Sequence, residues 1–228
     1  MTRTKSTYLA LIAVLLSPMA ANADPITVTN FSFEGPGCAT GDGCIENPTL
    51  GNFTVGSVDG WAVSGGEAGV YRPTNVVFNA GFPTDGVQSG YANSGGTLEQ
   101  GSLATIRGGE TYTLTIDVGR RKDTCCTTLD FLISLTADGV DIGMVDETFF
   151  AGGIPEVGDW KTIVLSVVAN ASFDGQSLGI RLMAFGPQTN WDNVRLMDTA
   201  TTVPEPGTLA LLGLGLFGMG LARRRRKV

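Results

Sequence analysis

Short runs in which apolar and polar residues alternate make up much of the chain, the period-2 pattern of strands with one buried face. Residues 111–118 (Thr-Tyr-Thr-Leu-Thr-Ile-Asp-Val) alternate most regularly. Residues 129–137 lead into Asp138-Gly139, a hairpin-turn dipeptide, from which residues 140–145 can return. No segment before Thr208 keeps an apolar period of 3.6 over three helical turns. We therefore expect an all-β domain with little helix.

The spacing of these runs predicts roughly ten short strands separated by glycine-rich turns, which is typical of a β-sandwich, most plausibly a jelly roll. The opening strand is expected at residues 24–34, with Phe31 and Phe33 on one face. The further predicted strands are residues 61–63, 68–71, 75–78, 91–92, 98–106, 110–118, 129–137, 140–145, 160–168, 178–184 and 193–197.

Residues 1–23 read as a secretory signal peptide. Arg3 and Lys5 provide the positive start, residues 8–16 a short apolar segment, and Ala21-Asn-Ala23 a small-x-small cleavage site. An uncleaved membrane anchor is the alternative, although the apolar run is short for a span. Either interpretation predicts that residues 24–202 form an exported domain.

Residues 203–228 contain Pro204-Glu205-Pro206, then the apolar residues 208–222, and finally the cationic residues Arg223, Arg224, Arg225, Arg226 and Lys227. A Lys/Arg flank stays in the cytoplasm, so the domain before it lies across the membrane. The apolar segment is about 22 Å long as a helix, which is short against a hydrocarbon core of about 30 Å. We therefore expect a short C-terminal hydrophobic helix that inserts into the membrane transiently.

This three-part ending resembles the sorting signal of the PEP-CTERM proteins of Gram-negative bacteria. The resemblance implies recognition by an exosortase in the inner membrane, cleavage near Pro204-Glu205-Pro206, and transfer to an anchor at the cell surface. It implies nothing about the function of the preceding domain.

Charge and composition exclude several kinds of function. Residues 24–202 contain 21 Asp/Glu and 8 Lys/Arg, a formal charge of −13, and this acidity argues against nucleic-acid binding. The chain has no histidine, which excludes Ser-His-Asp and Cys-His catalysis and His-ligated zinc sites. We identify no catalytic residue, and an enzyme would have to use carboxylates, Lys, Tyr or calcium.

Four cysteines in an exported chain indicate two disulfides among Cys38, Cys44, Cys125 and Cys126. Because a bond between adjacent cysteines closes a strained eight-membered ring, we favour bonds that join Cys125 and Cys126 to Cys38 and Cys44. The alternative is a Cys38–Cys44 bond with a vicinal Cys125–Cys126 bond.

A second resemblance covers most of the domain. Residues 30–34 (Asn-Phe-Ser-Phe-Glu), Trp61, residues 112–118 and residues 191–196 (Trp-Asp-Asn-Val-Arg-Leu) resemble the landmarks of galactose-binding-like jelly-roll modules, which include many carbohydrate-binding modules. The resemblance implies a structural calcium between the first and last strands, with Glu34 and Asp192 at the matching acidic positions. Ordinary loop and turn acids are the alternative.

Carbohydrate sites combine aromatic faces with amide and carboxylate hydrogen bonds. The candidate contacts are Tyr71, Arg72, Tyr91, Asn93 and Trp191, with Gln100 and Gln188. The alternative is that the aromatic residues only fill or cap the core. We expect a non-enzymatic cell-surface protein that binds extracellular polysaccharide. The other possibilities are a structural biofilm component without a ligand and a carboxylate-dependent glycan-active enzyme.

Overall fold

The computed structural model describes residues 23–123, 126–148 and 153–199, which form twelve β-strands and one short 3₁₀ helix, Ala171–Phe173. The strands are β1 (Ala23–Ile26), β2 (Gly51–Phe53), β3 (Ala62–Gly65), β4 (Ala68–Pro73), β5 (Ser89–Ala92), β6 (Gly96–Thr105), β7 (Thr111–Gly119), β8 (Phe131–Ala137), β9 (Val140–Asp146), β10 (Trp160–Val168), β11 (Ser177–Ala184) and β12 (Thr189–Thr199).

The strands form two antiparallel sheets. The seven-stranded sheet has the order β10-β7-β12-β5-β4-β2. Its seventh strand, β1, pairs with the C-terminal end of β12, beyond the residues that pair with β5. The five-stranded sheet has the order β3-β6-β11-β8-β9. The two sheets form a sandwich, which confirms the prediction of an all-β jelly-roll fold.

The main core lies between the sheets and is built from alternate residues of the long strands. Leu114, Ile116 and Val118 of β7 are fully buried, as are Ile180 and Leu182 of β11. The residues between them on β7 point to the opposite face of the sheet. The alternation that predicted these strands therefore also divides their core-facing residues from those on the outer face.

A second apolar cluster lies on the outer face of the seven-stranded sheet. Val70 and Ala92 belong to the main core, so the adjacent Tyr71 and Tyr91 point outward from β4 and β5. The cluster comprises Tyr71, Val77, Phe78 and Tyr91, with Leu50, Phe53 and Trp160 packed against it. Leu50, Val77 and Phe78 lie in loops, so loops cover part of the outer face. A pocket can form between these loops and the sheet.

The predicted opening strand ends early, at Ile26, and the predicted strand at residues 75–78 is wrong. The chain turns after Val28, and Asn30 and Phe33 adopt positive φ angles of 50° and 55°, so residues 27–34 cannot continue β1. Phe33 instead packs in the core against Trp61, with 5.2 Å between ring centroids. Residues 75–78 also form a turn, closed by a hydrogen bond of 3.2 Å from the Val77 N–H to the carbonyl of residue 74.

The predicted Asp138-Gly139 hairpin is confirmed. Asp138 and Gly139 have φ angles of 45° and 80°, and Ala137 pairs with Val140 across the turn. Two positive φ angles in a two-residue loop suit the right-handed twist of the flanking strands β8 and β9.

The favoured disulfide pairing is wrong. Cys38 is bonded to Cys44, with 5.6 Å between their Cα atoms, and the bond closes the glycine-rich loop of residues 39–43. This Cα separation is within the ordinary range for a disulfide, so the loop can close on itself without reaching a distant strand. Cys126 is also disulfide-bonded, and Cys125 lies outside the described residues.

Residues 1–22 of the predicted signal peptide (residues 1–23), with its signal helix, and the predicted sorting signal at residues 203–228 lie outside the described residues. Within the described ranges, no helix has the length and apolar character needed to cross a membrane.

Candidate functional site: a tyrosine pocket on the outer sheet face

A pocket of about 180 Å³ lies on the outer face of the seven-stranded sheet, at the end where β12 begins. We refer to it as the tyrosine pocket. Its lining residues are Asn47, Leu50, Gly51, Phe53, Glu67, Tyr71, Tyr91, Asn93, Arg121 and Gln188.

Three aromatic rings form one wall of the tyrosine pocket. Phe53 of β2 lies opposite Tyr71 of β4, and the Tyr91 ring of β5 meets both edge-on, at centroid distances of 6.1 and 6.2 Å. Tyr91 has Gly69 as its cross-strand partner. A Cβ atom at Gly69 would lie 2.2 Å from the Thr54 carbonyl oxygen, so only glycine permits this close approach.

The two phenols are held in place by main-chain carbonyl groups. Tyr71 Oη donates a hydrogen bond of 2.6 Å to the Leu50 carbonyl, and Tyr91 Oη donates one of 2.7 Å to the Thr54 carbonyl. Tyr91 Oη is also 3.1 Å from Glu67 Oε1. Burial raises the pKa of both tyrosines, and the Glu67 carboxylate raises that of Tyr91 further. Both phenols therefore stay neutral at physiological pH.

Arg121 brings a buried positive charge to the pocket, and Asp123 neutralises it. Arg121 donates through Nε and Nη2 to the two carboxylate oxygens of Asp123, at 2.7 and 2.8 Å. Its Nη1 donates to Gln188 Oε1, and its guanidinium group lies 4.8 Å from the Tyr71 ring centroid. All three guanidinium nitrogens are thus engaged, so Arg121 acts as part of the pocket wall, not as a free anion-binding group.

Two polar atoms, one in the pocket lining and one beside Gln188, have no hydrogen-bond partner among the described residues. They are Oδ1 of Asn93, which lines the pocket, and Nδ2 of Asn190, whose Oδ1 accepts a hydrogen bond of 3.2 Å from Gln188 Nε2. Unpaired buried polar atoms are costly, and a bound ligand that supplies complementary groups relieves that cost.

The structure brings several of the proposed ligand contacts together. Tyr71, Tyr91, Asn93 and Gln188 line the tyrosine pocket. Arg72 alternates with Tyr71 along β4, so its side chain leaves the strand in the opposite direction. Together with Pro73 and residues of β2, it lines a separate depression.

The other two proposed contacts lie away from the pocket. Trp191 is fully buried in the main core. Gln100 fixes the opening turn, donating from Nε2 to the carbonyls of Thr29 and Gly60 at 3.0 and 2.9 Å. A ligand would have to reach through packed structure to touch either side chain.

Sequence reasoning missed Phe53, Glu67 and Arg121. Phe53 lies on β2, a three-residue strand too short to show alternation, and Arg121 belongs to a cationic run that reads as a solvated loop. Glu67 immediately precedes β4, and its carbonyl accepts a hydrogen bond of 2.8 Å from the Asn93 N–H. That bond places Glu67 beside Asn93, which the sequence did suggest as a ligand contact.

The two acids proposed as calcium ligands contact the same loop. Glu34 Oε1 accepts hydrogen bonds of 2.8 Å from the N–H groups of Val87 and Gln88, and Asp192 Oδ2 accepts one of 2.7 Å from the N–H of Asp85. These oxygens face donors, and no group of three or more acidic, Cys or His side chains in the described ranges could hold a metal ion. The calcium ion stays a prediction.

Asp192 forms a buried acid pair with Asp117, its partner in the β12–β7 register. The Thr84 hydroxyl lies 2.6 Å from Asp117 Oδ2 and 2.9 Å from Asp192 Oδ2, yet it has only one hydrogen to donate. Asp117 also accepts from the Thr162 hydroxyl at 2.5 Å and from Asn193 Nδ2 at 3.1 Å. Burial raises the pKa of Asp192 to about 7, so this carboxyl group carries a proton in a substantial fraction of molecules near neutral pH.

Comparison with known proteins identifies the domain. A family described as HpiC1 cyclase matches residues 24–197, which is most of the chain. The chain belongs to the HpiC1-like family. The PEP-CTERM protein-sorting motif matches residues 202–227, as the sequence predicted, and the chain is therefore an exported protein with an HpiC1-like domain. No curated protein has a significantly similar sequence.

Solved structures share the fold at low sequence identity. A Stig cyclase, Fisc, from Fischerella sp. TAU in complex with (3Z)-3-(1-methyl-2-pyrrolidinylidene)-3H-indole has a TM-score of 0.63 and 21% identity, covering 78% of this chain and 98% of that one. A cyclase from the same organism in complex with 4-(1H-indol-3-yl)butan-2-one has a TM-score of 0.62 and 22% identity, covering 78% and 99%. TmCBM61 in complex with β-1,4-galactotriose is more distant, with a TM-score of 0.45 and 14% identity, covering 74% and 95%.

Proposed function

We propose that the exported HpiC1-like domain binds a ring of an extracellular polysaccharide in the tyrosine pocket, without turnover, and that exosortase processing places it at the cell surface. The observation that carries this proposal is the pocket itself, in which three aromatic rings stand beside amide side chains of Asn47, Asn93 and Gln188. Aromatic faces pack against the C–H faces of a sugar, and amides bind its hydroxyl groups.

The size of the pocket favours a short contact with a longer ligand. Pockets that enclose a whole drug-sized molecule measure roughly 300–1,000 Å³. The tyrosine pocket, at about 180 Å³, is smaller than this range. One ring of a polymer can enter while its neighbours remain outside, whereas a compact polycyclic ligand has to be enclosed as a whole.

Affinity electrophoresis of the full-length chain on a panel of polysaccharides tests the proposal. Phe53→Leu removes a half-buried ring from the pocket wall. We expect it to weaken retention about 3- to 10-fold, since aromatic contacts contribute roughly 0.5–1.5 kcal/mol. Phe185→Leu is the matched control, because Phe185 is 48% exposed and does not line the pocket. It should leave retention unchanged.

The possible outcomes separate the alternatives. Retention without released sugar supports binding. If no polysaccharide retards the chain, the proposal is wrong and a structural surface or biofilm role without a ligand is favoured. Release of sugar from a retained polysaccharide contradicts binding without turnover.

An enzymatic function is the second candidate, and the protonated Asp192 favours it. The period of two places Gln188, Asn190 and Asp192 on the same outer face of β12, in a row that starts in the tyrosine pocket. A carboxyl group with a pKa of about 7 can donate a proton to a substrate near neutral pH. Thr84 and Asp85 cover this acid, so catalysis would require their loop to move.

Binding of 4-(1H-indol-3-yl)butan-2-one, a ligand of the Fischerella cyclase, tests the second candidate by calorimetry. If the row of β12 residues forms a cyclase-like site, the indole should bind the full-length chain, and Asp192→Asn should weaken it. Absence of binding counts against a cyclase-like site and leaves the polysaccharide proposal untouched.

A further inference from the structure

The tyrosine pocket has a negative charge at its rim and no unpaired positive charge among the described residues that line it. Arg121 is bound by both oxygens of Asp123, so this pair contributes no net charge. Glu67, which is exposed at the rim, is the other acidic or basic residue of the lining. The domain around the pocket is also strongly acidic. The local field therefore favours a cationic ligand over an anionic one.

At the rim of the tyrosine pocket, hydrogen-bond acceptors outnumber the donors within reach. Tyr91 Oη has one hydrogen but two acceptors within reach, the Thr54 carbonyl at 2.7 Å and Glu67 Oε1 at 3.1 Å. Asn93 Oδ1 lacks a donor among the described residues, and the Asn93 N–H binds the Glu67 main chain at 2.8 Å. A carboxylate oxygen that shares its donor with a carbonyl and an amide oxygen that has none therefore belong to the lining of the same pocket. A ligand group with several N–H donors satisfies them.

The aromatic wall has the composition of a site for an organic cation. Phe53, Tyr71 and Tyr91 meet at interplanar angles of 87° and 68°, so their faces and edges enclose a corner instead of forming a flat stack. The Arg121 guanidinium already lies over the Tyr71 ring, 4.8 Å from its centroid. Phe53 and Tyr91 remain to contact a ligand, and aromatic faces attract an ammonium group through their quadrupole.

Building on the proposed polysaccharide binding, we propose that the tyrosine pocket selects a sugar ring that carries an ammonium group, as in a de-N-acetylated amino sugar, with the ammonium between Glu67, Asn93 and the Tyr91 ring. A neutral sugar ring can make the same aromatic contacts but has no ammonium group to interact with Glu67. An acidic ring meets Glu67 with the same sign of charge.

Calorimetry with four tetrasaccharides tests the selection on the full-length chain. The probes are the tetramers of glucosamine, N-acetylglucosamine, glucose and galacturonic acid, compared below the pKa of the glucosamine amine. We expect glucosamine tetramer to bind about 3- to 30-fold more tightly than glucose tetramer. Galacturonic acid tetramer should bind most weakly. Glu67→Gln keeps the size of the side chain and should bring glucosamine tetramer to the affinity of glucose tetramer.

Glu110→Gln is the matched control. Glu110 also contacts a tyrosine hydroxyl, with 3.2 Å between Oε2 and Tyr112 Oη, and its substitution removes the same charge outside the pocket lining. It should keep the preference for glucosamine. If Glu67→Gln keeps the preference, or Glu110→Gln loses it equally, the acidity of the whole domain explains the binding and the inference is wrong.

The failure of this inference differs from the failure of the proposed function. Equal affinity for the glucosamine, N-acetylglucosamine and glucose tetramers refutes the ammonium selection but keeps polysaccharide binding. No binding of any tetramer, together with no retention on the polysaccharide panel, removes both.

Discussion

At the scale of single residues, the buried Asp192 makes stability depend on pH. Burial raises its pKa in the folded protein to about 7, above the ordinary value of 3.8. The folded state then binds the proton more tightly than the unfolded state, so this stabilisation is complete below about pH 4 and is lost as the pH rises through about 7. We predict that the free energy of unfolding, measured with urea in the presence of a chelator, falls between pH 5 and pH 8 by at most about 3 kcal/mol, because each pH unit between pH 5 and the folded pKa contributes about 1.4 kcal/mol.

Asp192→Asn tests the assignment of this pH dependence. Asparagine keeps the oxygen that accepts from the Thr84 hydroxyl and the Asp85 N–H but cannot ionise, so the fall in stability should largely disappear. Asp198→Asn, on the same strand but only partly buried, should retain it. An equal slope in the wild type and Asp192→Asn would assign the pH dependence to other groups.

At the scale of an element, the β8–β9 hairpin depends on the backbone conformation of its turn. Gly139 has a φ of 80°, and a Cβ atom there would meet only Arg181 Nη2, at 3.9 Å. The cost of Gly139→Ala is therefore conformational, and we predict a loss of about 1 kcal/mol in urea unfolding. Gly101→Ala on β6, where a Cβ atom meets nothing within 4 Å and φ is not in the left-handed region, should be neutral or slightly stabilising. Equal effects would contradict this explanation.

The elements that the sequence predicted well are those in which side-chain alternation and the main-chain path agree. β7 and the β8–β9 hairpin follow this rule, because each strand buries one face against the other sheet. The prediction failed at residues 27–34, where the positive φ angles of Asn30 and Phe33 turn the chain while both phenylalanines still pack on apolar residues. Alternation of apolar and polar residues indicates which side chains are buried, but it does not show that the main chain is extended. A turn can bury alternate side chains as well as a strand does.

The tyrosine pocket was predictable only in part, because its walls come from distant parts of the chain. Tyr71, Tyr91 and Asn93 lie on or next to predicted strands and were among the candidate contacts that the sequence suggested. Phe53 joins them through the pairing of β2 with β4, and Arg121 through its bond with Gln188. Pairing of strands that are not joined by a short turn leaves no periodic signal, so these contacts required the structure.

At the scale of the whole molecule, the chain combines an acidic HpiC1-like domain with a C-terminal sorting motif. In the proposed function, the sandwich provides the binding surface and the motif determines where that surface is presented. The charge of the Arg cluster and its recognition by a processing enzyme are separable properties, because lysine carries the same charge without the planar guanidinium group.

Substitution of the Arg cluster tests how the tail acts. We predict that changing Arg223, Arg224, Arg225, Arg226 and Lys227 to Asn abolishes processing, because no Lys or Arg side chain then holds the flank in the cytoplasm. Intact mass of the protein recovered from cells measures this: the wild type should end near residues 203–207, and the Asn variant should keep its tail. The matched Lys variant keeps the charge, and processing should continue if topology alone is required. Loss of processing in both variants indicates recognition of the guanidinium groups, whereas processing of the Asn variant contradicts the prediction.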